Sequence, residues 1–238
     1  MTNNEFSDAF STLLNSYYSD AQFGEPAAKR EVVLDEYEKS FFLTKAQEEL
    51  VVSCYNGKNA FGDSFESTEE LRRYLSNLVT EDSIDPITSS IGTPLGMDSK
   101  SKFFTLPDDL WFITYEDVTT SDGGCGNGGK MDVYPVTQDE YLKIKRNPFR
   151  GANNRRALRL DLADGVVEVV CKYNVTNYYI RYIRKPSPII LEDLPDNLTI
   201  EGSNCSTPCE LHEALHQRIL ERAVRLALQS KGIRIEDK

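Results

Sequence analysis

The chain has 238 residues, of which 39% are hydrophobic and 10% aromatic, so it can bury a core and is not a disordered segment. Its 27 basic and 38 acidic residues give a net charge of −11, which disfavours a surface that grips duplex DNA along its length. No stretch reaches the roughly 18 apolar residues of a membrane span. The first residues, MTNNEFSDAF, lack the basic and apolar regions of a signal peptide, which points to a protein made in a cytoplasm with no membrane partner. Five cysteines without an export signal read as reduced thiols.

The first third reads as helical. Asn3 or Asn4 can cap a helix whose apolar positions (Phe6, Phe10, Leu13, Leu14, Tyr17 and Tyr18) recur three and four apart, and Gly24 and Pro26 close it. Asp35 to Leu43 is a second helical stretch. Thr44 and Gln47 have the capping-box form and predict a further helix from Thr44 to about Asn56, stopped at Gly57. Ser67 to Glu70 repeats that device ahead of Leu71, Tyr74, Leu75 and Leu78.

Residues 84–101 are rich in Ser, Thr, Gly and Pro and predict a linker or extended arm. The pattern then becomes that of strands: Leu110 to Val118, Met131 to Val136, Ala157 to Leu162, Val166 to Tyr173 and Tyr178 to Arg184. Thr137 to Glu140 caps a short helix ending near Asn147, and Asp164-Gly165 is a hairpin turn. The last three strands suggest an antiparallel meander. Thr207-Pro208-Cys209-Glu210 has the form of a helix start, opening an amphipathic helix through Leu211, Leu215, Ile219, Ala223, Leu226 and Ala227 to Gly232. The expected fold class is α+β: a helical region over 1–83, an arm over 84–102, an antiparallel β region over 103–200 with its short helix near 138–147, and a C-terminal helix within 201–238 that packs on the helical region.

Four motifs bear on chemistry. His212-Glu213-Ala214-Leu215-His216 has the HExxH form of a zinc peptidase, in which two histidines on one helical face hold the metal and the glutamate acts as base. These are the chain's 2 histidines, so a third ligand would have to be a carboxylate from elsewhere. The plain alternative, the flank of an amphipathic helix, outweighs it. Cys205 and Cys209 with the two histidines form a possible structural zinc set, but on a straight helix Cys205 and His216 would lie about 16 Å apart. Gly124 to Lys130 nearly spells a phosphate-binding loop, yet Met131 replaces its Ser or Thr and a strand, not a helix, is expected to follow. No metal or cofactor is therefore assigned.

The fourth motif is a basic run inside an acidic protein: Lys143, Lys145, Arg146, Arg150, Arg155, Arg156 and Arg159. A solvated face is the simplest account. A docking patch for a negatively charged neighbour is the other, because Asn147-Pro148-Phe149-Arg150-Gly151 presents an aromatic among arginines, a composition that interface cores favour. The candidate interface residues are Arg146, Phe149, Arg150, Arg155, Arg156 and Arg159. No nucleophile–base pair stands out.

Several stretches together resemble virion proteins of crAss-like bacteriophages: Leu34 to Ser40, Phe42 to Glu48, Asn147 to Gly151, Leu158 to Asp161, Lys185 to Ile190, Leu194 to Ile200, and Cys209 to His212 with the closing helix. The similarity spans about residues 34 to 228. It implies a structural, non-enzymatic protein of the virion, a ring or adaptor of the head-to-tail connector assembled in the bacterial host cytoplasm. It further implies a dodecameric homo-oligomeric ring that contacts the portal protein and other connector or tail proteins, with genomic DNA passing through the channel without sequence-specific binding. An acidic lumen would let that DNA slide. Two alternatives remain beside it: a zinc metallopeptidase using His212, Glu213 and His216, and a capsid cargo or scaffold protein that needs no ring.

Overall fold

A computed structural model describes residues 1–21, 33–57, 64–65, 67–87, 100–121 and 129–232. The chain divides into two compact units, one formed by Met1–Leu78 with Pro186–Lys238, the other by Val79–Lys185. The α+β class expected from the sequence is what is found, with helices at the N-terminus, a mixed sheet and a closing helix.

The first unit holds α1 (Asn3–Ala21), α2 (Glu36–Asn56), α3 (Glu69–Tyr74) and α5 (His216–Ser230). The cap of α1 is Thr2, not Asn3 or Asn4: its hydroxyl accepts from the Glu5 amide while the Glu5 carboxylate accepts from the Thr2 amide. Asn3 instead donates to the Ile190 carbonyl. The two helical stretches expected around residue 44 are one helix. Asp35 and Glu38 form its capping box, and Gly57 ends it with φ of 73°.

Thr44 lies inside α2 because its hydroxyl serves a different chain segment. Ser40 and Thr44 accept the amides of Leu191 and Ile189, and Gln47 donates to the Ser187 carbonyl. These side chains satisfy backbone groups of a returning extended segment that lies outside the sheet. Thr207 and Glu210 are likewise engaged elsewhere. Thr207 forms a reciprocal backbone bridge with Ile190, and the Glu210 carboxylate accepts from the Ser187 amide and hydroxyl. The expected helix start at Thr207 is therefore displaced. A 3-10 turn, Glu213–Leu215, precedes α5, which begins only at His216. From there Ile219, Leu220, Ala223, Val224, Ala227 and Leu228 are buried at helical spacing, and α5 packs on α1 and α2. Each Leu or Ile so buried is worth about 1.5–3 kcal/mol.

The second unit is a seven-stranded sheet: β1 (Val79–Ile84), β2 (Lys102–Thr105), β3 (Leu110–Thr120), β4 (Lys130–Pro135), β5 (Arg156–Asp161), β6 (Val166–Val170) and β7 (Val175–Arg184), in the order β1-β7-β3-β4-β5-β6-β2. β1 occupies the end of the stretch expected to be helical; residues 88–99 of the expected arm lie outside the described residues. β5 and β6 form the expected hairpin, with positive φ at both Asp164 and Gly165. β7 does not extend it into a meander. Its ten residues pair instead with the eleven of β3 on one side and with β1 on the other.

β4 and β5 are parallel, so the sheet is mixed where an antiparallel one was expected. The connection between them carries α4 (Tyr141–Lys145), and a helical crossover is how parallel neighbours are joined. Tyr141 packs there on Leu158, Leu160 and Val170. The opposite face forms the main core, with Phe104, Val118, Met131, Val167, Tyr178 and Ile180. Phe104 of β2 meets Tyr178 of β7 at 5.2 Å between ring centroids, although four strands separate them in the sheet order. The Ile87 amide, just past β1, donates to Phe103 of β2 at 2.8 Å. The sheet thus curls until its two edges approach.

Candidate interface

The patch begins where α4 ends. The Asn147 carboxamide oxygen accepts from the amides of Phe149 and Arg150, and its carbonyl accepts from Gly151 at 2.8 Å. This side-chain-closed turn holds Phe149 outward, 85% exposed. A Cβ on Gly151 would sit 3.0 Å from the Asn147 carbonyl and 3.1 Å from that of Ile144, so the buried glycine sets how tightly the turn closes on α4. Gly151→Ala should cost about 1–3 kcal/mol through this crowding, read as a fall in the denaturant midpoint. An unchanged midpoint would show that the turn relaxes freely.

Arg156 ties the turn to the sheet. Its guanidinium carbon lies 4.2 Å from the centroid of the Tyr134 ring, and one of its nitrogens donates to the Phe149 carbonyl at 3.2 Å. Arg146, Arg150 and Arg155 are exposed. Of the six expected residues, Arg146, Phe149, Arg150 and Arg155 are thus exposed and Arg156 is half-buried.

Arg159 does not join them. It is 9% exposed and points inward from β5, where it donates to Glu116 at 3.0 Å and lies 3.0 Å from Asp161. Tyr178 donates to the same Glu116 carboxylate at 2.6 Å. Burial pushes the Glu116 carboxyl above its ordinary range, against the opposing pull of Arg159 and Tyr178. Burial also raises the Tyr178 hydroxyl far above the usual tyrosine value. The alternation of β5, in which Leu158 and Leu160 face α4 and Ala157 the main core, already set Arg159 on the inner face.

The HExxH residues do not share a helix face. His212 precedes the 3-10 turn and its Nδ1 accepts from the Ala214 amide, while its ring packs on Tyr74 at 5.3 Å. His216 is the first residue of α5 and is buried. Its Nδ1 lies 2.8 Å from the Met1 amino nitrogen and its Nε2 3.0 Å from the Leu211 carbonyl, so both ring nitrogens have protein partners. Burial holds its pKa below the ordinary histidine value. A base with a depressed folded pKa loses its stabilising contribution as pH falls through its unfolded value of about 6.5. Melts between pH 7.5 and 5 should show up to about 1.4 kcal/mol lost per pH unit in that window, a slope that His216→Leu removes. The same slope in the variant would assign it to another group.

Cys209 is half-buried with its thiol facing the Gln47 carboxamide, and burial pushes it up to about 11; Cys205 is exposed. Among the described residues no three His, Cys, Asp or Glu side chains converge as a metal set. Most of the glycine-rich loop lies outside the described residues. Lys130, its last motif position, opens β4, pairs with Asp117 at 3.3 Å and lies over the Tyr179 ring.

A family model for phage tail ring protein 3/4 matches residues 1–238. The chain belongs to this family. It is 49% identical over 234 residues to Ring protein 3 of Bacteroides phage crAss001, covering 97% of this chain and 96% of that protein. It is 31% identical over 236 residues to Ring protein 4/5 of the same phage, covering 95% and 92%.

Within this member of the tail ring family, sequence reasoning missed two exposed apolar residues, Tyr134, over which Arg156 lies, and Leu142. The alternation of β4 could have found Tyr134, since Met131 and Val133 point into the core and Asp132 and Tyr134 away from it. Leu142 follows the buried Tyr141 on a helix too short to show a period.

Proposed function

We propose that this chain is a structural, non-enzymatic protein of the phage virion that assembles into a ring in the tail. Its likeness along almost its whole length to a protein named Ring protein 3 carries that reading. Within it, the chain acts as an adaptor of the head-to-tail connector, bridging portal and tail around the DNA channel. The net charge of −11 suits a channel that DNA must slide through without being held. The exposed turn bearing Phe149, with Arg146, Arg150, Arg155 and Arg156 about it, is the surface that docks on a neighbouring subunit. An exposed aromatic set among arginines has the composition of an interface hot spot, and a monomer gains nothing from holding it in water. The peptidase reading draws no support from histidines so placed, one of them buried with both ring nitrogens engaged.

Native mass spectrometry of the purified chain, alone and mixed with the phage's portal protein, tests this. A closed complex of many copies that binds the portal is the expected result. A chain that stays monomeric in both samples would end the ring reading, and a ring that ignores the portal would end its placement as an adaptor. A species packaged in capsids without forming a ring would instead favour the cargo or scaffold alternative.

A further inference from the structure

A ring of identical copies needs two different, complementary surfaces on each copy, because head-to-tail contact joins one face to another. A pocket of about 320 Å3 lies in the second unit, beside the end of α4. Lys100, Lys145 and Lys172 reach it from three separate segments, over a floor that includes Tyr141, Leu158 and Val170. Among the described residues no acidic side chain lines it. The ammonium of Lys100 donates to the Lys172 carbonyl at 3.0 Å and that of Lys172 to the Asn154 carboxamide at 3.2 Å, both neutral acceptors. In a chain with an excess of 11 negative charges, three cations around an apolar floor make a site for a carboxylate.

The complement lies on the first unit. Residues 191–197 read Leu-Glu-Asp-Leu-Pro-Asp-Asn, and Glu192, Asp193 and Asp196 are all exposed. Asp193 accepts from the Ser206 amide at 2.7 Å, and Leu194 donates to the Asn204 carbonyl, so the loop is held in shape. Among the described residues no lysine or arginine pairs with any of the three carboxylates.

The geometry points to the lysine pocket as the acceptor for the acidic 191–197 loop of a second copy of this chain. The inference rests on the ring reading and names the partner surface for one side of it. The apolar floor favours this occupant over the sugar-phosphate backbone of DNA, since the methylenes of a glutamate can lie against Leu158 and Val170 while its carboxylate meets the ammonium groups. A carboxylate held against apolar side chains is screened less by salt than a contact at an exposed rim.

Charge reversal tests the pairing. Lys145→Glu with Lys172→Glu gives a chain whose pocket and loop are both acidic. Glu192→Lys with Asp196→Lys gives one whose pocket and loop are both basic, and it leaves the Asp193 contact intact. Each double variant alone should associate at least 100-fold more weakly than the natural chain at low salt, with circular dichroism unchanged. An equal mixture of the two should recover closed rings in which the variants alternate, seen by native mass spectrometry as even-numbered mixed species. Either variant assembling as the natural chain does would overturn the inference, as would a mixture that stays dissociated. Loss of short-duplex DNA binding in the lysine variant, with rings unchanged, would assign the pocket to phosphate instead. If the natural chain forms no ring at all, a synthetic 191–197 peptide titrated against it separates the two ideas. Binding that the lysine variant loses keeps the pocket without the ring, and no binding ends both.

Discussion

Arg155→Glu combined with Arg156→Glu is expected to abolish ring assembly while leaving each chain folded. Arg155 is exposed, and Arg156 both covers the Tyr134 ring and donates to the carbonyl of Phe149. Reversal places two negative charges where the docking surface presents positive ones and frees the turn that displays Phe149. Reversed charge pairs at an interface cost several kcal/mol, a loss of roughly 100-fold or more in association, and raising salt from 50 to 500 mM should soften the defect because exposed charges are screened. Phe149→Ala separates the apolar part of the same surface. It should cost about 2 kcal/mol of association with little response to salt. Rings that form normally from the arginine double variant, judged by native mass spectrometry and negative-stain microscopy, would remove this patch from the interface.

The largest effect on stability is expected at Arg159. Arg159→Met leaves the Glu116 carboxylate buried without its cation, and breaking a buried pair from one side costs about 3–5 kcal/mol. A fall of roughly 10 °C in Tm would follow. The cost should depend on pH in a set direction. Glu116 has a folded pKa raised by burial, so its contribution is most favourable in acid and is lost as pH rises through that value. Losing the guanidinium raises it further, and a neutral carboxyl needs no cation. The deficit of Arg159→Met should therefore shrink near pH 4.5 and be full near pH 8. Replacing both partners, Glu116→Leu with Arg159→Met, should recover most of the loss. A double variant as unstable as the single one would mean that Tyr178, which also donates to Glu116, carries the site.

Local signals were legible where they depended on few residues. The Asp164-Gly165 turn, the α4 segment and, within α5, the buried positions Ile219, Ala223 and Ala227 read correctly, because turn chemistry and helical spacing act within a dozen residues. The misreadings came from polar residues recruited over long distances. Thr44 and Thr207 carry the marks of helix caps, yet they serve Ile189 and Ile190, partners far away in sequence that no local pattern reveals. One missed topology did leave a trace. The segment joining β4 to β5 is long enough for a crossover and contains a recognisable helix, which is the signature of parallel neighbours. Of the six residues singled out in the sequence, Arg159 is the one whose burial was misread. A run of arginines announces charge, but strand alternation decides which of them reaches water.

The curl that brings Ile87 to Phe103 bears on how copies of this chain can recognise one another. A flat sheet would offer two rows of unpaired amides and carbonyls to any strand that came near, and such pairing is blind to side chains. Here the edge strands turn toward each other, and β1 carries exposed Glu81 and Asp82 as a further deterrent. Contact between copies is thereby left to side chains, which can diverge in sequence. A contact read through side chains can tell one partner surface from another in a way that a bare strand edge cannot.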